Sequence, residues 1–328
     1  MLDRTRRTVA VALLLAPAIA YSQAKADGYP VRPIKMVVPF PPGGTNDIVA
    51  RVVATKLSES LGQTVIIDNH GGAGGLIGTK YAASAAPDGY TLLLGNAGAL
   101  AAGLGLYSKT PYDVLKDFIP ISLLGDITIV LVATRTLAAN SPRELVALAK
   151  AQPGALNAAI PGTNSIQQLL TGLFRQRAGI DFVEIPYNGG GPAVIELIAG
   201  RNQFSFVNLP TVHKFIQAGQ LKPLAVAGLN RSNLLPDTPT LQEAGFPGLT
   251  ATAWNALLAP AGTPAPIIAR LNSEVVQMMR SPDMQKLMSD QGVNAVSSTP
   301  QETYGFLRDE NVKWLKVIQD LGIKPDKA

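Results

Sequence analysis

The 328-residue sequence has no cysteine and only two histidines, His70 and His213. The first absence excludes a disulfide framework, a thiolate zinc site, an iron–sulfur cluster and a cysteine nucleophile. The histidines lack ligand-like spacing and read as loop or surface residues, so no metal or other cofactor is expected. Neither a G-x-S-x-G elbow nor an H-E-x-x-H helix occurs, and no residue is put forward as catalytic. Charged residues make up only 16%, with a formal excess of +5. Whether that excess is an address for polyanions depends on where it sits.

Much of it sits at the amino terminus. Arg4, Arg6 and Arg7 precede an uncharged run from Thr8 to Ala20, and Ala24-Lys25-Ala26 offers a small-x-small cleavage site. This is the layout of a secretory signal peptide over residues 1–26, with an apolar stretch shorter than the ~20 residues a membrane span needs. Removing it leaves 302 residues with 24 basic and 22 acidic groups, or +2. An exported, nearly neutral protein of the periplasm is expected, not a nucleic-acid binder.

The remaining chain alternates strand, Gly/Pro-rich loop and helix. Ile34 to Phe40 reads as a strand, and the apolar spacing of Ile48, Val49, Val52, Val53, Leu57 and Leu61 predicts a helix closed by Gly62. Further strands are expected near Thr64 to Ile67, Tyr90 to Leu94, Ala155 to Ile160, Phe182 to Ile185, Phe204 to Val207 and Leu221 to Ala227, with helices between them. Ser141-Pro142-Arg143-Glu144 reads as a capping box. Thr263-Pro264, Ser281-Pro282 and Thr299-Pro300 each place a hydroxyl cap before a proline, and Leu307, Trp314, Leu315 and Ile318 share one face of the last helix. The pattern predicts two α/β lobes, each a mostly parallel sheet flanked by helices, with crossings near Thr128 to Thr134 and Thr252 to Ala259.

In open α/β sheets ligands bind beyond the carboxyl ends of strands. Four loops there are rich in glycine or small polar residues: Phe40 to Asp47, His70 to Gly75, Pro161 to Ser165, and Pro186 to Pro192. Turned-out backbone N–H groups and a helix amino terminus suit a carboxylate without a lysine. A tight strand-to-helix turn is the alternative use of the same glycines. Asp47, at a helix start, is either a general base or, complementing the helix dipole, a pin for its loop; Trp254 and Tyr187 are packing residues or cleft walls.

These residues carry a resemblance. Arg32 to Phe40 with Pro42-Gly43-Gly44 and Asp47, Leu61-Gly62-Gln63, Gly72 to Gly75, Pro87-Asp88-Gly89-Tyr90, Leu235 to Thr240 and Leu258 to Pro264 are similar, in collinear order, to the Bug (TctC-like) extracytoplasmic solute receptors. The resemblance implies a type II-like, two-lobed periplasmic binding protein, monomeric, that closes on a small carboxylate-bearing solute and delivers it to the permease subunits of a tripartite tricarboxylate transporter. Lobe 1 would comprise residues 27–130 and 253–328, and lobe 2 residues 131–252. First-lobe ligand contacts would be Phe40, Pro42, Gly43, Gly44, Thr45, Asp47, Asn96 and Ala97. Second-lobe contacts would be Gly162, Thr163, Asn164, Ser165, Tyr187 and Asn208.

Family members often carry histidine in place of Gln168, glycine in place of Asn164, a basic residue in place of Asn188 and aspartate in place of Val207. The exchanges at Asn188 and Val207 lower the charge of the second lobe and point to a solute with one deep carboxylate and a neutral or aromatic distal end. Two rival readings remain: a periplasmic receptor that serves a sensor instead of a permease, and an unrecognised periplasmic hydrolase.

Overall fold

The computed structural model describes residues 28–163 and 165–324, so the expected leader and Asn164 lie outside the described residues. The first part alternates as the periodicity predicts: β1 (Ile34–Val38), α1 (Thr45–Leu61), β2 (Val65–Asn69), α2 (Leu76–Ala83) and β3 (Thr91–Asn96). Two single-turn helices, α3 (Ala97–Leu100) and α4 (Val114–Asp117), lead into the 17-residue strand β4 (Phe118–Thr134). The middle comprises α5 (Pro142–Ala151), β5 (Asn157–Pro161), α6 (Ile166–Ala178), β6 (Val183–Tyr187), α7 (Gly190–Ile198), β7 (Phe204–Asn208), α8 (Leu209–Gln217) and β8 (Leu221–Val226). The chain returns through β9 (Thr252–Pro260) and ends with α9 (Ala265–Arg280), α10 (Pro282–Asp290), β10 (Val293–Ala295) and α11 (Pro300–Asp320).

The strand order is β2-β1-β3-β9-β4-β7-β5-β6, with β10 and β8 also paired to β4. The outer trios β2-β1-β3 and β6-β5-β7 repeat one arrangement with parallel pairs, whereas β9, β4, β8 and β10 pair antiparallel. The sheets are therefore more mixed than a strict strand-helix alternation suggests, because the strands that carry the chain between halves run against their neighbours. β4 does this in one piece: Phe118 to Thr128 pairs with β9, and Ile129 to Thr134 pairs with β7 and β8. Its apolar run is buried on both faces, Ile129, Leu131 and Ala133 joining the main core, Val130 and Val132 a second core under α7 and α8.

Local signals are realised with three exceptions. Thr299 and Glu302 form a reciprocal capping box on α11, and Ser281 caps α10. Thr263 does not cap: its hydroxyl donates back to the Pro260 carbonyl, and α9 begins after Pro264. Ser141 accepts from the Glu144 N–H, but the Glu144 carboxylate reaches the Asn140 N–H, one residue earlier than a capping box requires. On α11, Leu307, Trp314 and Ile318 are buried whereas Leu315 is 42% exposed, since it sits on the margin of that stripe.

Candidate functional site: a glycine-walled cleft between the two halves

The carboxyl ends of β1 and β3 and those of β5, β6 and β7 face a cleft of about 540 Å³. Phe40, Pro42, Gly43, Gly44, Thr45, Asn96 and Ala97 line it from the first half. Gly162, Thr163, Ser165, Tyr187 and Asn208 line it from the second. The loops Gly72 to Gly75 and Gly189 to Pro192 complete the walls. Among the described residues, ten glycines and no Lys, Arg, His, Asp or Glu line the cleft.

The helices make up for the missing cations. α1, α7 and α8 start at the cleft with Gly44, Gly189 and Asn208 as N-caps, and none of these N-caps makes a side-chain capping bond. Their first-turn N–H groups have no intrahelical partner and carry the positive end of the dipole. α6 differs, because Ser165 accepts from the Gln168 N–H at 3.2 Å and occupies part of that terminus. Gly43 and Gly189 hold φ of 83° and 105°, which a side chain strains to adopt, so the loops need glycine to turn their amides outward.

Among the described residues Asp47 is the exception to the expected contacts: it does not line the cleft. It is 3% exposed beneath the first loop, accepts from the Gly43 N–H at 3.0 Å, from Arg51 Nε at 2.8 Å and from Asn69 Nδ2 at 3.1 Å. Burial raises its carboxyl pKa, but these donors outweigh burial and hold it below the usual carboxylate value. Its position is that of a pin: it fixes Gly43, and Asn69 ties the same network to the Phe40 carbonyl at 3.0 Å. Tyr187 lines the cleft, yet its hydroxyl accepts from the buried Asn202 Nδ2 at 2.7 Å and its ring packs against the second core.

Several lining residues carried no signal in the sequence. Ile127 and Ala253 meet across the β4–β9 ladder, and beside them Asp126 pairs with Trp254, a register that only the folded sheet defines. Trp254 is a wall, held by its Nε1–H donating to Glu310 Oε2 at 2.9 Å; Trp314 donates to the same oxygen at 2.9 Å. Gln167 Nε2 donates to Asn208 Oδ1 at 2.6 Å. Thr211 Oγ1 lies 3.0 Å from Thr45 Oγ1, a hydrogen bond that joins the two halves directly across the cleft. Thr211 was within reach of sequence reasoning, being one turn past Asn208 on α8.

The matching family model is the tripartite tricarboxylate transporter family receptor, over residues 49–323. Protein BugT of Bordetella pertussis is 41% identical over 98% of this chain and 99% of its own length. A solved structure from R. palustris with adipate superposes with a TM-score of 0.88 at 33% identity, covering 91% of this chain and all of that one. MatC from Rhodopseudomonas palustris with bound malate gives 0.83 at 32%, covering 88% and 100%. Likeness at this level over nearly the full length places the chain in the tripartite tricarboxylate transporter receptor family, a family of extracytoplasmic solute-binding receptors and not of enzymes.

Proposed function

We propose that this protein is exported by its leader, captures a small carboxylate-bearing organic solute in the periplasm by closing the cleft, and hands it to a tripartite tricarboxylate permease. The observation that carries the reading is a cleft with no charged wall but with three uncapped helix termini from both halves. An anion there is held by backbone N–H groups and dipoles, which bind carboxylate oxygens without a counter-cation and release them readily. Ten glycines let the backbone approach the solute closely. The solutes named for the solved relatives, adipate and malate, agree with this chemistry.

One carboxylate seats against the Gly43-Gly44-Thr45 loop. The aromatic and aliphatic walls Phe40, Ile127, Val207 and Trp254 suit a distal end that is neutral or aromatic. A thermal-shift panel on the mature protein checks this, because a ligand of the folded state raises its stability by ~2.7 kcal/mol at a hundredfold excess over Kd. Aromatic monocarboxylates are expected to stabilise it more than citrate; the reverse order rules out the distal-end assignment. Stoichiometric saturation and return of unchanged solute distinguish a receptor from an enzyme.

A further inference from the structure

The first half of the cleft presents two asparagines, Asn46 and Asn96. An amide shows a ligand either a carbonyl or an NH₂, and which one depends on what its other end already binds. Asn96 is settled by the backbone: its Oδ1 accepts from the Ala99 N–H at 3.0 Å, leaving its NH₂ as the free end. Asn46, at the second position of α1, is settled by a single side chain. Asn255 Nδ2 donates to Asn46 Oδ1 at 2.8 Å, with a longer 3.3 Å contact to the Gly95 carbonyl.

Asn255 is an expensive residue for that place. It is fully buried on β9, paired with Asn96 on one side and Gly125 on the other, and its own Oδ1 has no hydrogen-bond partner. A buried unpaired carbonyl destabilises the folded state, and an apolar side chain would avoid it. The residue is not among the cleft-lining groups. Its one strong polar contact is the one that turns Asn46.

We propose that Asn255 is a positioning residue that sets the polarity of the solute site: by occupying Asn46 Oδ1 it makes both first-half asparagines donors. The inference rests on the carboxylate reading above and deepens it. A pair of amides that both offer donors is matched by a terminal group with two acceptor oxygens, a carboxylate. It rejects the corresponding carboxamide, which must turn an NH₂ toward donors and leave them unpaired. Recognition is thus specific for carboxylate over its neutral isostere without any lysine or arginine.

The test measures binding of adipate, malate and benzoate, each with its carboxamide counterpart, to mature protein and to Asn46→Ala, Asn255→Val and the double variant by titration calorimetry. Asn255→Ala serves if Val does not fold. Asn255→Val is expected to weaken carboxylate binding by roughly 10- to 100-fold, to narrow the gap between carboxylate and carboxamide, and to leave the melting temperature unchanged or higher. Because Asn255 acts through Asn46, the double variant is expected to bind no worse than Asn46→Ala. Additive losses, or carboxylate selectivity unchanged in Asn255→Val, would overturn the positioning role while leaving the receptor function standing. If the unmodified protein binds the carboxamides and none of the carboxylates, the carboxylate reading itself fails and this inference with it.

Discussion

The residue that most rewards attention at the first loop is Asp47, because its carboxylate works through the backbone it holds. Three donors converge on it, from Gly43, Arg51 and Asn69, and removing it leaves the Gly43 N–H and the Arg51 guanidinium without this acceptor and the half-buried Asn69 amide with only its bond to the Phe40 carbonyl. Asp47→Ala is expected to lower stability by about 2 kcal/mol and to weaken solute binding, both read by urea unfolding with and without ligand. The pH dependence follows from its depressed pKa in the folded state. A carboxylate of this kind contributes stability that is fully present above its unfolded value near 3.8 and is lost as pH falls through the lower folded value. The stability gap between wild type and Asp47→Ala is therefore expected to be constant at neutral pH and to shrink only in strong acid. General base and loop pin were both open for Asp47 in the sequence, and the resemblance added a ligand contact, since a helix-start aspartate serves each. Its buried position, off the cleft wall, favours the pin.

At the scale of elements, α11 does more than cover the first half. Glu310, 9% exposed on this helix, is the shared acceptor for the indole N–H groups of Trp254 and Trp314, and its other oxygen meets Lys313 Nζ at 2.8 Å. Trp254 sits edge-on to Phe306 of the same helix, ring centroids 5.1 Å apart. One face of α11 thereby fixes a wall of the cleft. Glu310→Ala leaves two buried N–H donors unpaired and is expected to cost about 2–5 kcal/mol, with a shift in tryptophan emission that reports the freed Trp254. The capping box and apolar stripe of this helix were legible from Thr299, Glu302, Leu307, Trp314 and Ile318. That its acidic Glu310 lies inward was not, because a lone glutamate in an amphipathic pattern reads as solvated until the two indoles are seen around it.

At the scale of the molecule, one strand and one hydrogen bond bear on the proposed closure of the cleft. β4 belongs to both halves, changing partners between Thr128 and Ile129, and β9 re-enters the first half at Thr252. For the proposed closure of the cleft these two strands are the expected hinge, about which a small rotation moves one half against the other. Thr45 and Thr211 meet across it at 3.0 Å, a contact that opening of the cleft is expected to break. Thr211→Val keeps the packing against Gly190 but removes the bond. It is expected to weaken solute affinity about 2- to 10-fold, chiefly through faster release, and small-angle scattering without solute is expected to show a larger radius of gyration than wild type.

The sequence alone determined the alternation of elements, the loops that line the cleft and the family they resemble. These are local properties: periodicity, caps, turn glycines and collinear motifs each depend on residues close together in the chain. The tertiary structure decided what depends on residues far apart. It made the sheets mixed, because β4 and β9 run antiparallel through the middle. It withdrew Asp47 from the wall and brought Trp254, Gln167 and Thr211 to it. It also left Asn46 with a donor's face, by setting Asn255 behind it 209 positions away in the chain. An amide's orientation is fixed by its partner, and that partner is supplied by the fold.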